Sequence, residues 1–128
     1  MKLLLDTCTF LWLITGSEEL STIAIDSFTD PKNEVYLSSV SAWEINVKYR
    51  LGKLSLPLSP DKFIPKERKR HMIARLDLSE QDTFHLLKLS SPHKDPFDRI
   101  LVCQAIEHSL TILTPDPLVT QYPIRSLW

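Results

Sequence analysis

Four carboxylates stand out by what surrounds them: Asp6 after an opening apolar run, Glu44 in SAWEI, Asp98 in DPFDR and Asp116 in LTPD. Brought together without compensation, such acids raise one another's pKa by repulsion, so a cluster of this kind implies a hard divalent cation. Oxygen-only ligands favour Mg2+ or Mn2+. These ions act on phosphate esters by activating water and stabilising the attacking and leaving oxygens, sometimes as a pair about 3.5 to 4 Å apart. The chemistry to which the four acids point is metal-assisted hydrolysis, provided the fold gathers them.

The elements that must do so are readable in outline. In HKDPFDRILVCQA, residues 93–105, Asp95 caps a helix, Pro96 suits its first position and Asp98 follows three residues after the cap. Ile100, Leu101, Val102, Cys103, Ala105 and Ile106 then predict a helix buried on most sides. Residues 2–5 read as a strand ending at Asp6, and residues 7–14 as a helix stopped by Gly16. A second helix is expected over 21–28, stopping around Asp30 and Pro31. A strand over 34–37 leads into a helix through Leu51 closed by Gly52, with Ser41 and Glu44 in an S-x-x-E capping box. Residues 54–65 shift to Pro, Ser and Lys, and KERKRH at 66–71 is the one dense basic cluster, read as a solvated helix face. Beyond it come a strand over 72–76 and a helix capped by Ser79 and Asp82, whose Phe84, Leu86, Leu87 and Leu89 cover the sheet. The loop SSPHKDP precedes the Asp98 helix. After that helix follow a strand over 110–113, a turn at 114–117 and a last short strand over 124–127.

Alternating strands and helices imply an open parallel sheet with right-handed crossovers and ligands beyond the carboxyl ends of the strands. All four acids belong to that edge. Asp6 and Asp116 end strands, and Glu44 falls in the first turn of the helix after a strand. Asp98 falls in the first turn of a helix before one, and reaches the edge if that helix runs antiparallel to the strands. Each acid also has an ordinary local use as a cap or turn residue.

With 128 residues, 43% of them hydrophobic, the chain suits one domain over residues 1–128. No run of 18 apolar residues offers a membrane span, and MKLLLDTC meets an acid too early for a signal peptide, so a cytoplasmic, unprocessed chain is expected. Cys8 and Cys103 lack CxxC spacing and read as buried reduced thiols, which disfavours soft-metal chemistry. A formal charge of −1 argues against bulk attraction to nucleic acid. Set the four acids aside in a metal site, however, and 15 basic groups face 12 acidic ones. Gly16 and Gly52 are the only glycines, and neither belongs to a nucleotide-binding loop.

LLLDT, SAWEI, HKDPFDRILVCQA and LTPD, in this order across nearly the whole chain, resemble the PIN domain family, and within it the small VapC-like toxins of toxin–antitoxin pairs. The resemblance implies a three-layer α/β/α sandwich on a parallel central sheet and metal-dependent endonucleolytic cleavage of RNA without a covalent enzyme intermediate. It assigns Asp6, Glu44, Asp98 and Asp116 as catalytic metal ligands for Mg2+ or Mn2+. Asp95 stands as an additional acid behind the ligands or as a cap, and Thr114 as a hydrogen-bond donor to a ligand carboxylate or water. Arg99 is weighed between a phosphate contact and a surface ion pair with Asp95 or Asp98. The expected partners are an RNA substrate, a small cognate antitoxin presenting an apolar helix and a basic side chain, and a second copy in a homodimer, with no membrane. Contact of RNA with the basic run at 66–70 is an inference outside the family's motif.

Three other readings compete. A phosphoacceptor signalling domain would need an acid pair after the first strand and a lysine after a late one, where this chain has Pro115 and Asp116. A catalytically silent domain would use the acids to attract a basic peptide. A haloacid-dehalogenase-type phosphatase is weaker, since Asp6 lacks an aspartate two positions on.

Overall fold

The computed structural model describes residues 1–90 and 95–128; positions 91–94 of the SSPHKDP loop, including His93 and Lys94, lie outside the described residues. Five short strands, β1 (Lys2–Leu5), β2 (Glu34–Ser38), β3 (Ala74–Leu76), β4 (Thr111–Leu113) and β5 (Arg125–Leu127), form one sheet in the order β3-β2-β1-β4-β5. Every pairing is parallel. Receiver-type sheets are ordered 2-1-3-4-5, so the phosphoacceptor alternative fails on topology.

Alternation along the strands divides the core in two. Leu3, Leu5, Val35, Leu37 and Leu113 pack under α1 (Thr7–Thr15), α2 (Thr22–Thr29), α3 (Ser39–Arg50) and α4 (Pro60–Arg70), which supply Phe10, Ala24, Ile45, Phe63 and Ile64. On the opposite face Leu4 and Ile112 meet Leu101, Val102 and Ala105 of α6 (Pro96–His108), Val119 of α7 (Pro117–Thr120) and Tyr122. The three-layer sandwich on a parallel sheet is thus observed. No helix among the described residues is long and apolar enough to cross a membrane.

Several expectations need correction. Ser38, not Ser41, caps α3: its hydroxyl accepts from the Val40 amide at 3.0 Å, while the buried Ser41 hydroxyl has no hydrogen-bond partner among the described residues. The sheet decides this, because β2 stays paired as far as Ser38 opposite Leu76 and the chain turns helical at once afterwards. Glu44 therefore sits in the second turn of its helix, where it is buried. The Ser79–Asp82 capping box forms, but its helix, α5 (Glu80–Thr83), gives way to a 3-10 turn over Phe84–Lys88 that leaves Phe84 and Leu87 exposed. The third strand starts at Ala74, not residue 72, since Met72 takes a positive φ of 54°. Cys103 is buried as expected, whereas Cys8 is exposed.

The basic run belongs to the end of α4, and Lys66, Lys69 and Arg70 are exposed. Because α4 stops at Arg70 and β3 begins at Ala74, this end of α4 lies at the amino edge of the sheet, opposite the acids. By the same reasoning α6, ending at His108 just before Thr111, begins at the carboxyl edge and delivers Asp98 there.

Candidate functional site

The strand order reverses direction at β1: the chain builds β2 and β3 on one side, then returns to lay β4 on the other. The crevice at such a switch is where open α/β sheets bind ligands. Asp6 leaves β1 with extended backbone and caps α1, its Oδ1 accepting the Thr9 amide at 2.7 Å. Its Oδ2 accepts the Thr114 hydroxyl, from just beyond β4, at 2.5 Å. The same Thr114 oxygen accepts the Asp116 amide at 3.1 Å, and Asp116 caps α7 by accepting the Leu118 amide at 2.9 Å. One threonine thus links the acids that follow the two central strands.

Glu44 joins from α3. The Thr7 hydroxyl donates to its Oε1 at 2.6 Å, and the Lys48 ammonium lies 2.7 Å from its Oε2. The Glu44 side chain is 8% exposed and that of Lys48 45% exposed, so the pair reaches from the protein interior to water. Asp98 is half-buried in the first turn of α6; its charge acts on the Cys8 thiol, as do those of Asp6, Glu44 and Lys48. Asp95 caps α6 through the Phe97 amide at 2.9 Å, and its charge acts on Lys48. Arg99 turns the other way, its Nη1 donating to the Ser90 carbonyl at 2.8 Å and the Tyr122 hydroxyl at 3.2 Å.

Burial, above all, pushes the Asp6 carboxyl above the usual carboxylate range; hydrogen bonds from Thr114 and Thr9 oppose this, and the charge of Asp116 adds to it. The direction agrees with the sequence argument, but desolvation outweighs the expected repulsion. Burial raises the Cys8 thiol, with Asp6 the next largest cause, and the hydrogen bond to Glu44 raises Lys48.

Among the described residues, no three His, Cys, Asp or Glu side chains are grouped closely enough to hold a metal ion. Donors occupy the carboxylates instead: Thr9 and Thr114 on Asp6, Thr7 and Lys48 on Glu44. The chemistry of the set nonetheless suits a hard cation, since its acidic donors are oxygens and the buried Asp6 charge is under-compensated. Sequence reading named the four acids and Thr114 and did not anticipate Lys48, Thr7 or the exposure of Cys8. Lys48 had a signal, the Glu-to-Lys spacing of four on a helix. Thr7 reaches a partner 37 residues away and had none.

A model of the PIN domain family matches residues 3–122. Ribonuclease VapC16 of Mycobacterium tuberculosis is 36% identical over 63 residues, a match that covers 49% of this chain and 45% of that protein's length. Among solved structures, VapBC2 from Rickettsia felis bound to a DNA fragment from its promoter is similar with a TM-score of 0.74 and 17% identity, covering 99% of this chain and 98% of that one. VapBC-1 from nontypeable Haemophilus influenzae is similar with a TM-score of 0.68 and 16% identity, over 99% and 97% of the two chains. At these identities the two structures bear on the fold alone.

Proposed function

Because the chain belongs to the PIN domain family, we propose that it is a metal-dependent endoribonuclease, the toxin of a toxin–antitoxin pair acting in the cytoplasm. The observation that carries this reading is the Asp6–Thr114–Asp116 link at the switch between β1 and β4, with Glu44 held beside it by Thr7. The relative named a ribonuclease supports it, and the VapBC structures share the fold it requires.

Asp6, Glu44, Asp98 and Asp116 would hold one or two Mg2+ or Mn2+ ions. When bound, the ion activates water and stabilises charge on the phosphodiester oxygens. Thr114 fixes the orientation of Asp6 and opposes the rise in pKa that burial imposes on its carboxyl. Thr7 fixes Glu44, and Lys48 neutralises its other oxygen while no cation does. Asp95 sets the start of α6 and so the position of Asp98. The partners are RNA as substrate, a small antitoxin and a second copy of the chain.

The test is direct. Purified protein freed of any antitoxin should cut unstructured RNA with Mg2+ or Mn2+ and stop in EDTA. Asp98→Asn removes charge with little change in volume and should abolish cleavage while the circular dichroism spectrum is unchanged. Full activity in the folded variant would remove Asp98 from the mechanism.

A further inference from the structure

Trp43 and Phe97 stand one position before Glu44 and Asp98, and their rings meet edge to face, with centroids 4.8 Å apart and planes at 77°. Trp43 is 59% exposed. With more than half of its surface in water beside an edge-on ring, Trp43 presents indole surface to solvent. Successive helical positions diverge by about 100°; as Glu44 turns inward, Trp43 flanks the acids instead of entering them. Beside Phe97 opens a concavity of about 400 Å³ whose lining includes Glu44, Lys48, Lys53, Asp95 and Phe97. Three of these residues, Glu44, Lys48 and Asp95, also belong to the acidic edge, so the concavity adjoins the acids on the Phe97 side.

Exposed indole surface matches a base and the exposed Lys53 matches a phosphate, the two contacts of a single-strand groove. We infer that Trp43, backed edge-on by Phe97, is the stacking platform for one unpaired base next to the bond that is cut, with Lys53 meeting a phosphate of the same strand. This rests on the ribonuclease reading above. A base stacked and paired within a duplex has no free face to offer, so the platform selects unpaired RNA and tolerates different bases.

The experiment separates the two readings. In EDTA, where cleavage is not expected, the intact protein is titrated with an adenosine hexanucleotide and with the same backbone lacking its bases. Trp12 and Trp128 also fluoresce, so the Trp43 signal is taken as the difference between wild type and Trp43→Phe. Quenching is expected with the hexanucleotide and not with the abasic strand. Trp43→Leu should weaken binding roughly 5- to 150-fold, as loss of one base–aromatic stack does, and Trp43→Phe should restore most of it. In Mn2+, Trp43→Leu should raise KM more than it lowers kcat. Unchanged affinity in Trp43→Leu, or equal quenching by the abasic strand, overturns the platform even if RNA is cut. A Trp43→Leu protein that sediments differently from wild type yet binds RNA as well would assign the ring to a protein contact, which also overturns it. Base-dependent quenching without any cleavage would sustain the platform and refute the nuclease.

Discussion

Replacing Thr114 by Val keeps the shape of a side chain that is 1% exposed and deletes the hydroxyl that donates to Asp6 and accepts from the Asp116 amide. A hydrogen bond to a charged group contributes about 1.5–3 kcal/mol, so a loss of about 2 kcal/mol is expected near pH 7.5, or roughly 6–10 °C in Tm for a chain of this size. The loss should depend on pH. Asp6 has a folded pKa above its unfolded value, so it binds more protons when folded, and its contribution to stability falls as pH rises from the unfolded through the folded pKa and then levels off. Thr114 lowers that folded pKa; without it the pKa rises further and the fall continues to higher pH. The penalty of Thr114→Val should therefore be smallest near pH 4 and reach its full size above the new folded pKa. Thermal melts in EDTA at both pH values measure this, with Thr114→Ser, which keeps the hydroxyl, as the control. A loss below about 0.5 kcal/mol, well under the value of such a bond, or an equal loss at the two pH values, would refute the view that Thr114 favours the charged form of Asp6.

Divalent metal at about 100 times its dissociation constant should stabilise the protein by roughly 2.7 kcal/mol if it binds only the folded state, and the rise in Tm should shrink in Asp6→Asn; an equal rise in the variant would show that Asp6 is not a ligand. Ser38→Ala removes the α3 cap and the hydroxyl that donates to the buried Gln104 Oε1 at 2.6 Å, and denaturant unfolding should register about 2–3 kcal/mol. In the native protein a thiol alkylating agent should label Cys8 and spare Cys103, more slowly than a free thiol at neutral pH because the Cys8 pKa is raised; mass spectrometry showing both labelled would contradict the burial of Cys103.

The parts legible in sequence were those fixed by local chemistry. Asp95, Pro96 and the apolar run after Asp98 set α6 almost to the residue, and Gly16, at φ 67°, stops α1 where expected. The parts that misled were decided by partners far along the chain. Ser41 and Glu44 form a good capping box on paper, but pairing of β2 with β3 settles where the helix begins. Helix α4 was hidden by Pro65 in its interior. That proline is exposed, leaving the carbonyl it orphans within reach of water, while Pro60, Phe63, Ile64 and Glu67 bury one helical face. Which oxygens of Asp6 and Glu44 are already occupied depends on Thr114 and Lys48, and only the second lies within a helical turn of its partner.

The hydrogen bond between Asp6 and Thr114 joins positions 108 residues apart. Asp6 is synthesised long before its donor, which arrives only when the chain has built one half of the sheet and crossed back past β1 to add β4. Contacts of such long range form late, because loop closure must precede any reward from pairing. From the synthesis of β1 until that of β4 the protein therefore carries an unfinished set of acids, and a chain cut anywhere between these strands is left with two fragments, neither of which contains the site.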